Sequence, residues 1–415
     1  MRDEEGFGMR PNIGLRGINP TRSTKTLLLE DGLPLSYAPY GDNASYYHPP
    51  VDRFERIEVL KGVSQLLFGP QTITGTINYI TPDPPLAPGG YASLSAGTQD
   101  YINGHFNYGG TWDNKGGLFD FIHKEGDGAR DNIELEFNDL NLKGIYEFNE
   151  IMALTMRLNY FAEDSQITYS GITDAESRNF GLRYNPFKND EFSSDRWGSS
   201  FTHEWWLTDN TLLTTSAYWS NFSRDWWRQS STTTDTQCGA AFRNDRLNGV
   251  PVDPDTCNSI QGRLRDYYTW GVEPRLTVHH ELFDLNNELQ AGVRTHREEQ
   301  FRVQLNGVNP DKQTGARVED NERFAETWSA FLQNRFEFGA WSLTPVVRFE
   351  HMQYERENLL PATPVTGESS LSEVIPGLGL TYNPVEYITL FTGVHKGFAP
   401  PRVEDIISNT TGLSV

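Results

Sequence analysis

The sequence predicts an all-β fold: an antiparallel outer-membrane-type β-barrel, about 13 of about 22 strands, behind a small α+β domain that packs inside its lumen. Three observations predict it. From about Gly90 onward, strand-length segments alternate in polarity between turns. The connections between those segments are short and long by turns. The opening stretch carries glycines at Gly62, Gly69 and Gly75, within RIEVLKGVSQLLFGPQTITGTIN (Arg56 to Asn78), where a soluble core would place side chains. Glycine allows positive φ and close approach of neighbouring chain, which suits a compact domain held in a tight container.

The alternation is plain in IMALTMRLNYFAED, where Met152, Leu154, Met156, Leu158 and Tyr160 share one face and Ala153, Thr155, Arg157 and Asn159 the other. The same split sets Trp328, Ala330, Leu332, Phe336 and Phe338 against Thr327, Ser329, Gln333, Arg335 and Glu337. It also sets Trp341, Leu343, Val347 and Phe349 against Ser342, Thr344, Arg348 and Glu350. One face is expected to meet lipid and the other water. A soluble sandwich would alternate too, so connection length decides. FNE (Phe148 to Glu150), TDN (Thr208 to Asn210), FDLNN (Phe283 to Asn287), FGA (Phe338 to Ala340) and NPVE (Asn383 to Glu386) are turn-like. The intervening connections are long and polar, including NGVNPDKQTGARVEDNE (Asn306 to Glu322). Short turns at one end and long loops at the other describe an outer-membrane barrel. Trp205 and Trp206 before a short turn, and Trp226 and Trp227 before a long loop, are expected at two interfacial girdles. The last strand is expected to begin at Tyr387 and run into GVHKGFAPPRVEDI. Bacterial single-chain barrels have an even strand number, so the chain is expected to be part of a longer protein.

Composition narrows the function. A mean hydropathy of -0.57 and 37% hydrophobic residues, beside 13% aromatics, require apolar surface to be placed in alternation and belts. A formal net charge of -21 opposes nucleic-acid binding, which needs a basic stripe. No apolar run approaches the ~18 residues of a spanning helix. The only cysteines, Cys238 and Cys257, lie in one polar loop (about 228–263) and are expected to form a disulfide, worth roughly 3 kcal/mol and implying an oxidising compartment.

The first ~85 residues resemble the plug of the TonB-dependent outer-membrane receptors. The motifs are LRGINP (Leu15 to Pro20), LLLEDGLPL (Leu27 to Leu35), RIEVLKG (Arg56 to Gly62), LLFGPQ (Leu66 to Gln71) and TGTINYIT (Thr74 to Thr81), with GFAPP (Gly397 to Pro401) in the barrel. Gly17, Asp31, Gly32, Glu58, Gly62, Gly69, Gly75 and Asn78 are the plug-motif positions. The family's glycine pair before IN is Thr74 and Gly75 here. SYAPYGDNASYYHPP (Ser36 to Pro50) looks like the plug apex of the ferric citrate receptor branch, although Asp42 stands where an anionic ligand favours a neutral residue.

The resemblance implies a monomer in the outer membrane of a Gram-negative bacterium, surrounded by lipid. Its partners would be TonB and the inner-membrane energy-coupling complex, and its activity active import of a ferric chelate. No bond is made or broken, no cofactor is needed, and iron travels as chelated substrate. The plug would span residues 1–85 and the barrel 90–415. An anionic chelate needs arginine forks and aromatic walls. The candidates are Arg22, Tyr37, Tyr40 and Gln71 in the plug, and Arg224, Arg228, Arg263 and Arg265 near the cysteine loop. Lys61, and second Arg16, are expected to lock plug to barrel. An importer of an oligosaccharide or cobalamin, and a passive porin, are the alternatives. His279 and His280 point apart on one strand, and no metal-ligand cluster, calcium loop or phosphate-binding loop is visible. A β-rich glycosidase would need two carboxylates at a defined separation, which sequence does not show.

Overall fold

The computed structural model describes residues 2–3, 7–168, 170–229 and 236–414. Near the start, β1 (Arg2–Asp3) pairs with β2 (Pro11–Asn12). A four-stranded sheet follows, from β3 (Leu27–Glu30), β4 (Leu33–Pro34), β5 (Arg56–Leu60) and β6 (Thr76–Ile80), in the order β4-β3-β6-β5. The plug motifs build this sheet. Asp31 and Gly32, at φ 49° and 80°, form the β3–β4 turn. The Asp31 carboxylate accepts from the Thr81 amide at 2.9 Å and the Thr81 hydroxyl at 2.7 Å. The Asn78 carboxamide accepts from Gly32 N at 2.9 Å and donates to Glu58 at 3.2 Å, tying three strands together.

Two of the three opening glycines behave as expected. Gly69 and Gly75 have φ of 41° and 147°, and a Cβ there would meet Arg348 and Glu350 of the barrel wall, or Leu15 and the Leu60 carbonyl. Gly62 does not: its φ is -97° and its surroundings are open.

Thirteen antiparallel strands form one meander. They are β7 (Gly89–Ala96), β8 (Ile102–Trp112), β9 (Lys115–Asp127), β10 (Glu134–Asn149), β11 (Met152–Gln166), β12 (Glu191–Thr208), β13 (Thr211–Arg228), β14 (Ile260–Leu282), β15 (Leu285–Gly307), β16 (Ala316–Phe338), β17 (Trp341–Asn358), β18 (Val365–Val385) and β19 (Ile388–His395). Strands β7 and β19 are the sheet edges. At one end every connection from β8–β9 to β18–β19 is a two-residue turn, while at the other 167–190 and 229–259 are long. The stretch Asn306 to Glu322 is mostly strand, leaving only 308–315 as loop. Its polarity misled because Glu319 and Asn321 are inward-facing strand residues with charged partners, Arg265 and Arg356.

The outer face carries exposed Met156, Leu158, Trp328, Leu332, Trp341 and Val347, while Asn159, Thr327, Ser329, Gln333, Arg348 and Glu350 are buried on the inner face. That inner face meets the plug rather than water. Arg348 pairs with Glu350 at 2.5 Å and donates to the Leu66 carbonyl at 3.3 Å; Arg294 pairs with Glu273 at 2.6 Å and donates to the Phe68 carbonyl at 2.8 Å. Outward aromatics cluster as Tyr160 on Trp197 and Trp328 on Phe349. Trp226 and Trp227 are not a girdle. Both are buried: Trp226 shares the inner face of β13 with Phe222 and Arg224 and packs against Tyr46 of the plug and Phe192, while Trp227 lies over Gly262 of the neighbouring strand.

Those loops form a small folded module. In α1 (Asp174–Phe180), Thr173 and Glu176 make a capping box. Arg246 of α2 (Gly239–Asn248) grips both Glu176 carboxylate oxygens at 2.7 and 2.9 Å. Cys238 and Cys257 are disulfide-bonded, and Cys257 packs with Phe187 and Phe242.

The plug is fastened to the wall by buried ion pairs, but not through the expected residues. Lys61 and Arg16 are exposed, and the Arg16 guanidinium donates to the Lys61 carbonyl. The reason is position: Lys61 ends β5, the edge strand of the plug sheet. The fastening residues are Arg53, at 2.8 Å from Asp139 and 2.6 Å from Glu30, and Arg10, at 2.6 Å from Glu163. Arg157 of the wall also reaches Glu30, and Asp31 at 2.8 Å.

Removing one partner of such a pair leaves an uncompensated charge. Arg53→Ala is expected to cost about 3–5 kcal/mol in denaturant unfolding. Burial alone would raise the Glu30 pKa, but Arg157, Arg53 and Arg196 lower it from 4.5 to about 2. Because the folded value is depressed, this contribution is complete above pH 4.5 and is lost as pH falls through about 2. Hydrogen exchange of β3 is therefore expected to stay protected at pH 3.5 and to become fast at pH 3.5 in Glu30→Gln.

Candidate functional site: an arginine-lined cavity

Sheet register places three arginines side by side. Arg224 of β13 pairs across strands with Arg265 of β14, and Arg265 with Arg302 of β15. All three lie on the inner face at the long-loop end. Like charges directly opposite destabilise a sheet, so a ladder of three calls for an anion.

The ladder forms one wall of a cavity of about 320 Å³. Arg228 and Arg263 come from the same strands, Arg22, Asp42, Ala44 and Tyr46 from the plug, and Arg402 and Glu404 from the segment after β19. Among the described residues, seven arginines and two carboxylates thus line the cavity. A neighbouring cavity of about 950 Å³ shares Arg22, Ala44, Tyr46, Trp226 and Arg402.

The arginines are committed to different degrees. Arg265 is satisfied at both terminal nitrogens, donating to the Leu264 and Val303 carbonyls at 2.9 and 2.6 Å and to Glu319 at 3.0 Å, while its Nε has no hydrogen-bond partner among the described residues. Arg302 is shared among Asp42 at 3.4 Å, Glu404 at 3.3 Å and Glu319 at 3.5 Å. Arg224 stacks on the Tyr46 ring at 4.2 Å, and its Nε and Nη1 are buried without a hydrogen-bond partner among the described residues. Arg22 also lies over Tyr46, at 5.0 Å. Burial tends to raise the Glu404 pKa, but Arg302 and Arg323 hold it down at about 2.

Arg22, Arg224, Arg228, Arg263 and Arg265 therefore come together at one cavity. Tyr37, Tyr40 and Gln71 do not line it, because the plug apex needs them to hold its own shape. Tyr37 packs between Phe222 and Tyr267 with its hydroxyl on the Ala44 carbonyl. Tyr40 donates its hydroxyl to Glu350 at 3.0 Å and its amide to Glu298 at 2.7 Å. Gln71 donates to the Pro39 carbonyl at 2.7 Å. Sequence reasoning missed Arg302, Arg402, Tyr46, Trp226 and Glu404. The alternation of Arg294, His296, Glu298, Gln300 and Arg302 along β15 could have found the first of these. Asp42 also lines the cavity, its carboxylate accepting from the Tyr267 hydroxyl at 3.1 Å and pairing with Arg302 at 3.4 Å. No group of three or more potential metal ligands occurs among the described residues.

A ladder built for a ligand should weaken the ligand-free fold. Arg224→Met is expected to raise unfolding stability by about 0.5–1 kcal/mol, whereas Arg302→Met lowers it by stranding Asp42 and Glu404. Denaturant midpoints of the two variants check this.

Residues 154–414 match the TonB dependent receptor-like β-barrel family, and residues 1–76 match the TonB-dependent receptor plug domain. The vitamin B12 transporter BtuB of Vibrio vulnificus (strain CMCP6) is 35% identical over 102 residues, which are 25% of this chain and 16% of that protein. Among solved structures, the ferric citrate transporter FecA in the unliganded form superposes with a TM-score of 0.82 at 20% identity, covering 95% of this chain and 57% of that one. The siderophore receptor PiuA from Acinetobacter baumannii gives 0.72 at 16%, covering 94% and 59%. The chain thus spans less than two thirds of the length of these relatives, and the two structures establish likeness of fold. With the barrel family matched over residues 154–414 behind a matched plug, the chain belongs to the TonB-dependent receptor family.

Proposed function

We propose that this chain captures an anionic ferric chelate of the ferric citrate type, for TonB-driven import across the outer membrane of a Gram-negative bacterium. The observation that carries this reading is the Arg224–Arg265–Arg302 ladder in a cavity lined, among the described residues, by seven arginines and two carboxylates. Guanidinium forks match carboxylate oxygens in pairs, and a buried anion there relieves the repulsion the ladder carries. Tyr46 and Trp226 supply the aromatic walls.

The plug supports transport as well as binding. It packs on the inner face through apolar contacts, such as Tyr37 with Phe222 and Tyr267, and is fastened there by ion pairs that can be exchanged. The ferric citrate transporter FecA shares the fold, and ferric citrate is the first ligand to try on that account. The partial identity with a vitamin B12 transporter makes cobalamin the second. Cobalamin offers few carboxylates to a donor-rich wall, so the cavity favours the chelate.

Tryptophan fluorescence of the full-length protein, titrated with ferric citrate, iron-free citrate, a neutral ferric hydroxamate, cobalamin and a maltooligosaccharide, tests the reading. Saturable quenching by ferric citrate is expected. Arg224→Met should weaken binding about 10-fold or more, as expected for loss of a charge-assisted pair. A response to cobalamin or sugar without one to any iron chelate overturns the ligand class and leaves the family in place.

A further inference from the structure

After β19 the chain turns back across the lumen and lies on the plug. The Thr72 amide donates to the Phe398 carbonyl at 2.8 Å, and the Phe398 amide donates to the Thr72 hydroxyl at 3.0 Å. The Val403 amide donates to the Gly41 carbonyl at 3.1 Å. Val403 and Ile407 are buried with Tyr40, Ala325, Met352 and Tyr354. The expected strand stops at His395 because Pro400 and Pro401 cannot donate to a ladder and the segment finds these plug partners instead.

The short helix α3 (Val403–Ile406) then delivers Glu404 into the arginine cavity. One carboxylate oxygen lies 3.0 Å from Arg323 Nη1 and 3.3 Å from Arg302 Nη1, and the other 2.7 Å from Arg402 Nη1. Arg302 is one end of the ladder. A strap that touches the plug at Gly41 and Thr72 therefore also seats a carboxylate where a ligand anion would go.

The geometry points to Glu404 as a specificity-determining latch: a resident carboxylate that a ligand must displace from Arg302 and Arg323, and whose displacement frees the 397–407 strap from the plug. This rests on the reading of the cavity as an anion site. The exchange has a direct consequence for selectivity. A ligand with one carboxylate swaps like for like and gains little. A chelate with several can hold Arg302, Arg323 and the unpartnered Arg224 together, so the latch rejects simple monoanions and admits polycarboxylate chelates. The depressed Glu404 pKa agrees, since the latch stays charged in all media where the chelate is charged.

The test uses the full-length protein with ferric citrate and acetate as probes, read by tryptophan fluorescence, and hydrogen exchange of the strap without ligand. In Glu404→Gln, ferric citrate is expected to bind about 10-fold more tightly, because two charge-assisted bonds no longer compete. Acetate is expected to become a measurable ligand, and exchange across 397–407 to quicken. Unchanged exchange, or ferric citrate binding no tighter than wild type, overturns the latch. If wild type binds ferric citrate and Arg224→Met does not, the anion site stands even as the latch falls. Absence of ferric citrate binding in every protein overturns the site and the latch together. Should Glu404→Gln fail to fold, Glu404→Asp decides: one methylene shorter, it cannot hold both arginines, and affinity between wild type and about 10-fold tighter supports the latch while unchanged affinity overturns it.

Discussion

Pairing of charge inside the lumen is the constraint on which the rest of this structure depends. Period-2 alternation sends every second residue of each long strand inward, and in this chain those residues are largely arginine, glutamate, asparagine and glutamine. Without contents they would face a water column. With the plug in place they are buried, and each must find a partner or cost several kcal/mol. The plug supplies those partners chiefly from its backbone: Leu66, Leu67 and Phe68 offer carbonyls to arginines, and Tyr40 and Gly41 offer amides to Glu298. Glycines let this backbone come close enough, which is why Gly69 lies against Arg348 and Glu350.

The arginine cavity is where that rule is broken. On the ladder Arg265 and Arg302 still meet carboxylates, but each guanidinium also stands opposite another, and Arg224 has Nε and Nη1 without a hydrogen-bond partner among the described residues. Sheet register cannot relieve this, because sliding one strand by a residue would turn its whole inner face outward. The unsatisfied Nε and Nη1 of Arg224 are thus locked in by the fold, which is what the proposed anion would relieve. Asp42 and Glu404 offset part of the ladder's charge, and they are carried by two separate segments, the plug apex and the strap after β19.

Much of this was legible in the sequence. Alternation and turn length fix the sheet, because both follow from local geometry; the motif order from Leu15 to Thr81 fixes the small domain. The arginines flanking the cysteine loop were found because they cluster along the chain. Arg302 and Glu404 were not, since each reaches the cavity from a strand or strap far away in sequence, and only register brings them there. Tyr37 and Tyr40 lie away from the cavity for a related reason: an aromatic in a loop reads as a ligand wall, but a buried apex uses its tyrosine rings to pack on the barrel wall and its hydroxyls to bond the apex backbone or the wall. Lys61 shows the reverse error, a charge in a motif whose position on an edge strand leaves it in solvent.

Strand length has one more consequence. Strands β14, β15 and β16 each run 23 residues from their two-residue turns. A span of the bilayer takes about 9–11. Arg265 and Arg302 stand near the far ends, roughly 55–60 Å along the strand from the turn at about 3.3 Å per residue, or roughly 45 Å in height at ordinary barrel tilt. The apolar band is about 25 Å tall. The positive cluster therefore stands well beyond the hydrocarbon, about two Debye lengths above it at physiological salt. Its field is not spent on lipid, and on the reading proposed above an anionic ligand would meet its first contacts before it came level with the membrane.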